Sequence, residues 1–232
     1  MVHVYQVDSR KRKRNFFGNF SMTSKLLAIN VLCWIVIWIL ISVNPNFIKY
    51  FALQPSSFVK GAFVWTLVTS MFSHIYFWHI FANMVTLVFM GNFVEKLVGS
   101  KRFLNFYLIA GIFASLFFVL LSVLFGNSEL GANLFGNPGI FALGASGAIF
   151  GLAGLITILI PRMKVLVFFV IPLPIWGAMV FFLGFFWLLS AFAGLPIGNS
   201  AHLGGFLIGI CYGLFLKNKF PNKTRMISKR FS

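Results

Sequence analysis

A serine set between glycines, two histidines and an asparagine are the residues of this chain best suited to breaking a covalent bond. Ser146 lies in Gly144-Ala145-Ser146-Gly147, and His202 in Ala201-His202-Leu203-Gly204-Gly205. A serine hydroxyl is a poor nucleophile until a base takes its proton, and histidine is the usual base. A serine at a helix start also has a backbone N–H without an intrahelical acceptor, free to donate to an oxyanion. His79 and Asn83, four residues apart and so on one helix face, are the side chains available to complete that oxyanion hole. The usual third member, a carboxylate orienting the histidine, is hard to find. The acids number 3 in all, namely Asp8, Glu95 and Glu129. The expectation is a Ser146–His202 dyad with no buried acid, no metal and no other cofactor.

The elements that must hold these residues follow from composition. Hydrophobic residues make up 59% of the 232 and charged residues only 9%, with 32 Phe, against about a quarter charged in an ordinary soluble domain. No water-soluble fold hides so much apolar surface, and disorder is excluded for the same reason. Cys33 and Cys211 both fall inside apolar runs, so there is neither a disulfide framework nor a zinc-ligand pattern. The fold class expected is an all-α polytopic membrane protein.

Six apolar segments read as helices: Leu26–Val43, His79–Val94, Phe103–Phe125, Ala145–Ile160, Ile175–Ala193 and Ala201–Leu216. The first starts late and has no cleavage pattern, so it reads as a span and not a signal peptide. The domain plan expected is a basic N-terminal tail over 1–25, a six-helix membrane domain over 26–216 and a basic C-terminal tail over 217–232. The net charge of +16 would suggest nucleic acid in a soluble protein. Threaded through six spans, however, all the Lys and Arg but Lys49 and Lys60 fall on one side. By the positive-inside rule both termini are cytoplasmic, in the cell membrane, and the charge reads as an orientation signal and contact with anionic lipids, with no nucleic-acid partner. Two outer loops are sizeable, the apolar Asn44–Ser73 and the Gly- and Asn-rich Ser122–Gly144. Val165–Ile171, ahead of Pro172 and Pro174, is too short to span and reads as an inner-face lead into the fifth helix.

Depth brings the polar residues together. Ser146, His202 and His79 each lie about 15 residues before the cytoplasmic ends of their helices, marked by Pro161, Lys217 and Glu95, hence ~23 Å above the inner face. The hydrocarbon core is ~30 Å thick, so all three sit somewhat below the outer surface. Helix starts at that depth need protein or a water-filled cavity to cover their N–H groups. The expectation is a wet pocket open to the non-cytoplasmic side. The G-x-x-x-G spacings Gly147/Gly151 and Gly205/Gly209 would let the two helices bearing Ser146 and His202 approach closely.

His74-Ile-Tyr-Phe-Trp-His79-Ile-Phe-Ala-Asn83, Gly91-Asn-Phe-Val-Glu95, Gly144-Ala-Ser146-Gly147 and Ala201-His202-Leu-Gly-Gly205-Phe-Leu-Ile-Gly209 resemble, in order and spacing, the motifs of the rhomboid intramembrane serine proteases. The resemblance covers roughly residues 26–216. It implies a six-transmembrane-helix rhomboid-like bundle, with Ser146 as nucleophile and His202 as general base. It implies His79, Asn83 and the Ser146 N–H as oxyanion donors, Glu95 and His74 as structural residues, and a membrane-embedded first loop. It further implies transmembrane protein substrates, cleaved in or near their membrane segments and entering beside the Phe-rich fifth helix. One departure is visible: Thr66 follows Trp65 where many members have Arg, which leaves the anchoring of the first loop to be explained.

Other chemistries fit less well. A zinc protease of the H-E-x-x-H type needs that motif, and the chain lacks it. An aspartyl protease needs two membrane acids. A transporter is expected to show paired broken helices in repeated halves, and no internal repeat is seen. A rhomboid-like pseudoprotease would lack the serine or the histidine.

Overall fold

In hydrocarbon a backbone must satisfy its own N–H and C=O groups, so apolar runs of this length become helices. The computed structural model describes residues 20–167, 170–195 and 197–231; Asp8 and the Arg10–Arg14 cluster lie outside them. Among the described residues, five helices are long and apolar enough to cross a membrane: α1 (Met22–Val43), α2 (Phe77–Val98), α3 (Ser100–Phe125), α5 (Ile175–Ala193) and α6 (Asn199–Lys219). Between them stands the shorter α4 (Ser146–Leu159), of 14 residues. The chain is an integral, multi-pass, all-α membrane bundle, as its composition requires.

At ~21 Å, α4 is shorter than the ~30 Å hydrocarbon core, and it is central. Every residue from Gly147 to Ile156 except Phe150 is buried, against α2, α3, α5 and α6. Glycine makes this possible. A Cβ on Gly205 would fall on the Gly147 carbonyl oxygen, and one on Gly209 on that of Gly151. The backbones of α4 and α6 are thus in direct contact, and a side chain at either position would force them apart.

At the other end of the bundle, Glu95 fastens α1. Its carboxylate accepts the N–H groups of Met22 and Thr23 and the Thr23 hydroxyl, each at 2.8 Å, and the Ser100 hydroxyl at 2.6 Å. An anion over the first turn of a helix satisfies N–H groups that have no partner within it. Gly91 lets α1 in, since a Cβ there would meet Thr23 Cγ2 at 2.9 Å. α2 is not uniform: its stretch Leu87–Gly91 is a π-helical turn between two α-helical parts.

Three segments depart from the sequence reading. The inner-face lead is an antiparallel hairpin, β1 (Lys164–Val167) pairing with β2 (Ile171–Pro174). Prolines at 172 and 174 are tolerated because a two-stranded sheet is all edge. Within the stretch Ser122–Gly144, beyond the end of α3 at Phe125 that the sequence reading gave, stands a short helix, Glu129–Phe135. The basic C-terminal stretch is helical too: α6 runs on to Lys219, and α7 (Pro221–Phe231) turns back against the bundle.

The first loop is built from short helical turns at Pro45–Tyr50, Pro55–Phe58, Thr66–Thr69 and Ser70–Phe72. Its anchoring beside Trp65 is local. Thr66 is buried and its hydroxyl donates to the Phe63 carbonyl at 2.6 Å, holding Phe63 at a φ of 54°. The Trp65 indole donates to the Tyr50 carbonyl at 3.0 Å. Tyr50, Phe63 and Trp65 then meet edge to face. Hydroxyl, indole and stacked rings fix this loop where the resemblance leads one to look for a guanidinium.

Candidate active site

The approach to Ser146 is an extended segment, and the first loop holds it. Leu53 and Ala142 exchange both backbone hydrogen bonds at 2.8 Å, and the Gly144 N–H donates to the Ser70 carbonyl at 2.8 Å. The Ala145 N–H donates to Nε2 of His74 at 3.3 Å. Gly144 has a φ of +122° and lies so near His79 that a Cβ would sit 2.7 Å from Nε2 of that ring. Only glycine meets both demands. Ser146 follows as the first residue of α4, where its N–H has no acceptor within the helix.

From the last turn of that approach the Ser146 hydroxyl reaches His202, with Oγ 2.8 Å from Nε2. His202 is on the first turns of α6, buried, and positioned by the glycine contacts between α4 and α6. For Nε2 to accept the hydroxyl proton, the neutral ring must carry its proton on Nδ1. That Nδ1 is buried and has no hydrogen-bond partner among the described residues. Glu129 is exposed on the short helix Glu129–Phe135 and Glu95 is occupied at the far end of α2. In place of an acid, the ring is flanked by aromatics. Phe150 stacks on it, centroids 4.4 Å apart and planes 17° from parallel, and Phe186 of α5 leans on it at 5.8 Å.

His79 and Asn83 line the same cavity, of about 990 Å³, as Ser146 and His202. Asn83 donates one amide hydrogen to the His79 carbonyl at 2.8 Å, which leaves a second N–H, since an amide has two. The His79 ring stands edge-on to His74, centroids 5.0 Å apart. His74 is fully buried, and burial, with a smaller contribution from His79, pushes its pKa down to about 3. It therefore stays neutral at physiological pH and can accept the Ala145 N–H. The four residues singled out from the sequence thus surround one space. The other walls are mostly apolar, with Met71, Phe118, Met179 and Phe182 among them, beside Ser70, Thr86 and Ser115.

Sequence reasoning missed two contributors. Phe150 lies one turn after Ser146 on the same face of α4, so its i+4 spacing was the available signal. Ser70 acts through its backbone carbonyl, which leaves no trace in residue type.

α5 is tied down towards its C-terminal end. The Trp187 indole donates to the Leu134 carbonyl at 2.8 Å. The Asn199 amide donates to the Ser190 hydroxyl at 2.8 Å, which in turn donates to the Leu195 carbonyl at 3.0 Å.

A family model described as the Rhomboid domain matches residues 62–219. Among curated proteins, the chain is similar to "Rhomboid protein 1, mitochondrial" of Saccharomyces cerevisiae, at 34% identity over 78% of this chain and 49% of that one. It is 29% identical to the human "Presenilin-associated rhomboid-like protein, mitochondrial", over 92% of this chain and 55% of the relative. It is also 30% identical to "Rhomboid protease GluP" of Bacillus subtilis, over 88% of this chain and 37% of the relative. The chain spans about half the length, or less, of these relatives.

Proposed function

Because the chain belongs to the rhomboid family, we propose that it is a serine endopeptidase hydrolysing peptide bonds in or near the transmembrane segments of other membrane proteins. The observation that carries this reading is the 2.8 Å contact between Ser146 Oγ and His202 Nε2 at a cavity inside a membrane bundle.

Ser146 Oγ attacks the scissile carbonyl carbon while His202 Nε2 takes its proton. The tetrahedral oxyanion accepts hydrogen bonds from the Ser146 N–H, the free amide hydrogen of Asn83 and the His79 ring. Collapse breaks the C–N bond, and His202 returns its proton to the departing amine, leaving an acyl-enzyme. A water, giving a proton to His202, then attacks the ester carbonyl carbon; as the C–O bond to Ser146 breaks, His202 returns that proton to Ser146 Oγ and the carboxylic acid product leaves. The imidazolium formed on the way meets the π faces of Phe150 and Phe186, which favour a cation, in place of a carboxylate.

A helical substrate hides its carbonyls in its own hydrogen bonds, so cleavage requires local unwinding near small or helix-breaking residues. Entry beside α5 is supported by Phe182 and Phe186, which belong to both that helix and the cavity wall. Water reaches the site from the side where α4 and α6 begin. The charge distribution supports both termini facing the cytoplasm, in a cell membrane bearing anionic lipids. The mitochondrial relatives raise a second address, and imaging of a tagged protein separates the two.

The test is cleavage of a model transmembrane substrate in liposomes by wild type, Ser146→Ala and His202→Ala, together with labelling by a fluorophosphonate probe. Wild type is expected to cleave and to label, and both variants to lose cleavage. Cleavage by Ser146→Ala near the wild-type rate would sink the mechanism. A wild type that neither labels nor cleaves would indicate a pseudoprotease.

A further inference from the structure

We propose that α7 and the last turn of α6 form a binding site for the phosphate of anionic membrane lipids, at the end of the bundle away from the cavity. Nothing in this inference depends on the Ser146–His202 chemistry.

α7 has two faces. Phe220, Thr224, Ile227 and Phe231 recur at helical spacing and form one stripe. Thr224 is buried, Ile227 packs on the core, and the Phe231 ring meets the edge of Phe93 on α2 at 5.3 Å and 80°. The helix is therefore docked under the bundle through a defined face. Away from that stripe it exposes Lys223, Arg225, Lys229 and Arg230, and the end of α6 adds Lys217 and Lys219.

Two of these cations are gathered on one ring. Lys219 Nζ lies 5.8 Å and Lys223 Nζ 6.0 Å from the centroid of Phe220, and Lys219 also lies 5.3 Å from Phe215. Such contacts are attractive, and they hold two exposed cations against one ring at the end of α6, where an anion would find both. The chain supplies none among its described acidic side chains. Glu95 is occupied by four donors, and Glu129 stands beyond the opposite end of α3. An anion that pairs with them comes from outside these side chains.

The surroundings favour a lipid phosphate over a nucleic-acid one. Phe215 is exposed on α6, one turn nearer the membrane interior than Lys219, and Phe220 is exposed beside it. A phosphate held by the lysines would have apolar surface directly above it for the first carbons of an acyl chain. Aromatic rings next to cations at a helix end are a membrane-interface pattern.

The test uses the full-length chain in phosphatidylcholine nanodiscs doped with spin-labelled phosphatidylglycerol or spin-labelled phosphatidylcholine. Wild type should hold more motionally restricted phosphatidylglycerol than phosphatidylcholine. Each cation near an anionic surface favours the anionic lipid by about fivefold at most. The variant combining Lys219→Gln, Lys223→Gln, Arg225→Gln and Lys229→Gln should lose most of that excess while keeping the wild-type unfolding temperature. If the variant fails to fold, salt decides on wild type alone: the excess should shrink as NaCl rises from about 0.05 M to about 0.5 M. Equal restriction of the two lipids, an excess that survives in the folded variant, or one indifferent to salt would each overturn the proposal. So would a fluorescent single-stranded RNA that displaces the phosphatidylglycerol from wild type.

Discussion

The ring of Phe150 lies flat on the imidazole of His202, 4.4 Å between centroids and 17° from parallel. Both rings sit at the cavity that contains Ser146. In a dyad the histidine must gain a proton in mid-reaction without a carboxylate to welcome it, so a π face in contact with it matters electrostatically as well as sterically.

Phe150→Leu should therefore lower kcat by about 2- to 30-fold, the range of a partly desolvated cation–π contact, with KM little changed. Phe150→Tyr should restore most of the rate. Steady-state kinetics on a model substrate decides it. Equal rates for Leu and Phe would reduce Phe150 to packing.

Asn83→Ala removes a proposed oxyanion donor and should lower kcat by about 10-fold to 1,000-fold. Since Asn83 also bonds the His79 carbonyl, the unfolding temperature is measured alongside. Loss of rate at unchanged stability supports the donor role, and an unchanged rate removes Asn83 from the site.

Gly205→Val would drive a side chain into the Gly147 carbonyl. Overpacking typically costs about 1–3 kcal/mol, and here it also pushes apart the two helices that bear Ser146 and His202. Thermal unfolding should shift down and fluorophosphonate labelling should fall by more than the folded fraction does. Labelling that merely tracks the folded fraction would show that the dyad tolerates the separation.

His74 gives a pH signature. Its pKa falls from about 6.5 in the unfolded chain to about 3 in the fold. The unfolded state therefore binds the proton first, and the stability owed to neutral His74 is full above about pH 6.5 and is lost as pH falls towards 3. The advantage of wild type over His74→Gln, read from unfolding temperatures, should be larger near pH ~7 than near pH ~4. A gap constant over that interval would contradict the assignment.

The residues show which parts of the molecule are written locally. The fifth apolar run, Ile175–Ala193, coincides with α5 at both ends, because Pro174 before it and Gly194 after it are themselves the punctuation. Ser146, His202, His79 and Asn83 could be grouped because helical rise turns residue number into depth. The hairpin Lys164–Pro174 was not legible, since its prolines announce a turn but say nothing of the partner strand. The bond from the Gly144 N–H to the Ser70 carbonyl was equally hidden, because backbone pairing across a long loop has no periodicity. The helix within the basic C-terminal stretch, α7, was not legible because its charges dominate its composition. The stripe of Phe220, Thr224, Ile227 and Phe231 emerges only when the segment is drawn as a helix.

The glycine seam between α4 and α6 divides the labour of the molecule. Both partners of the dyad ride on one fused pair of helices, whereas α5 touches that pair through side chains, Phe186 against Phe150 and His202 among them. On the proposed mechanism, access and chemistry are then separate modules. If the proposed entry beside α5 holds, an enzyme engineer could replace the outward residues of α5 wholesale, exchanging one clientele for another, while the Ser146–His202 distance stays under the control of the seam between Gly147 and Gly205 and between Gly151 and Gly209.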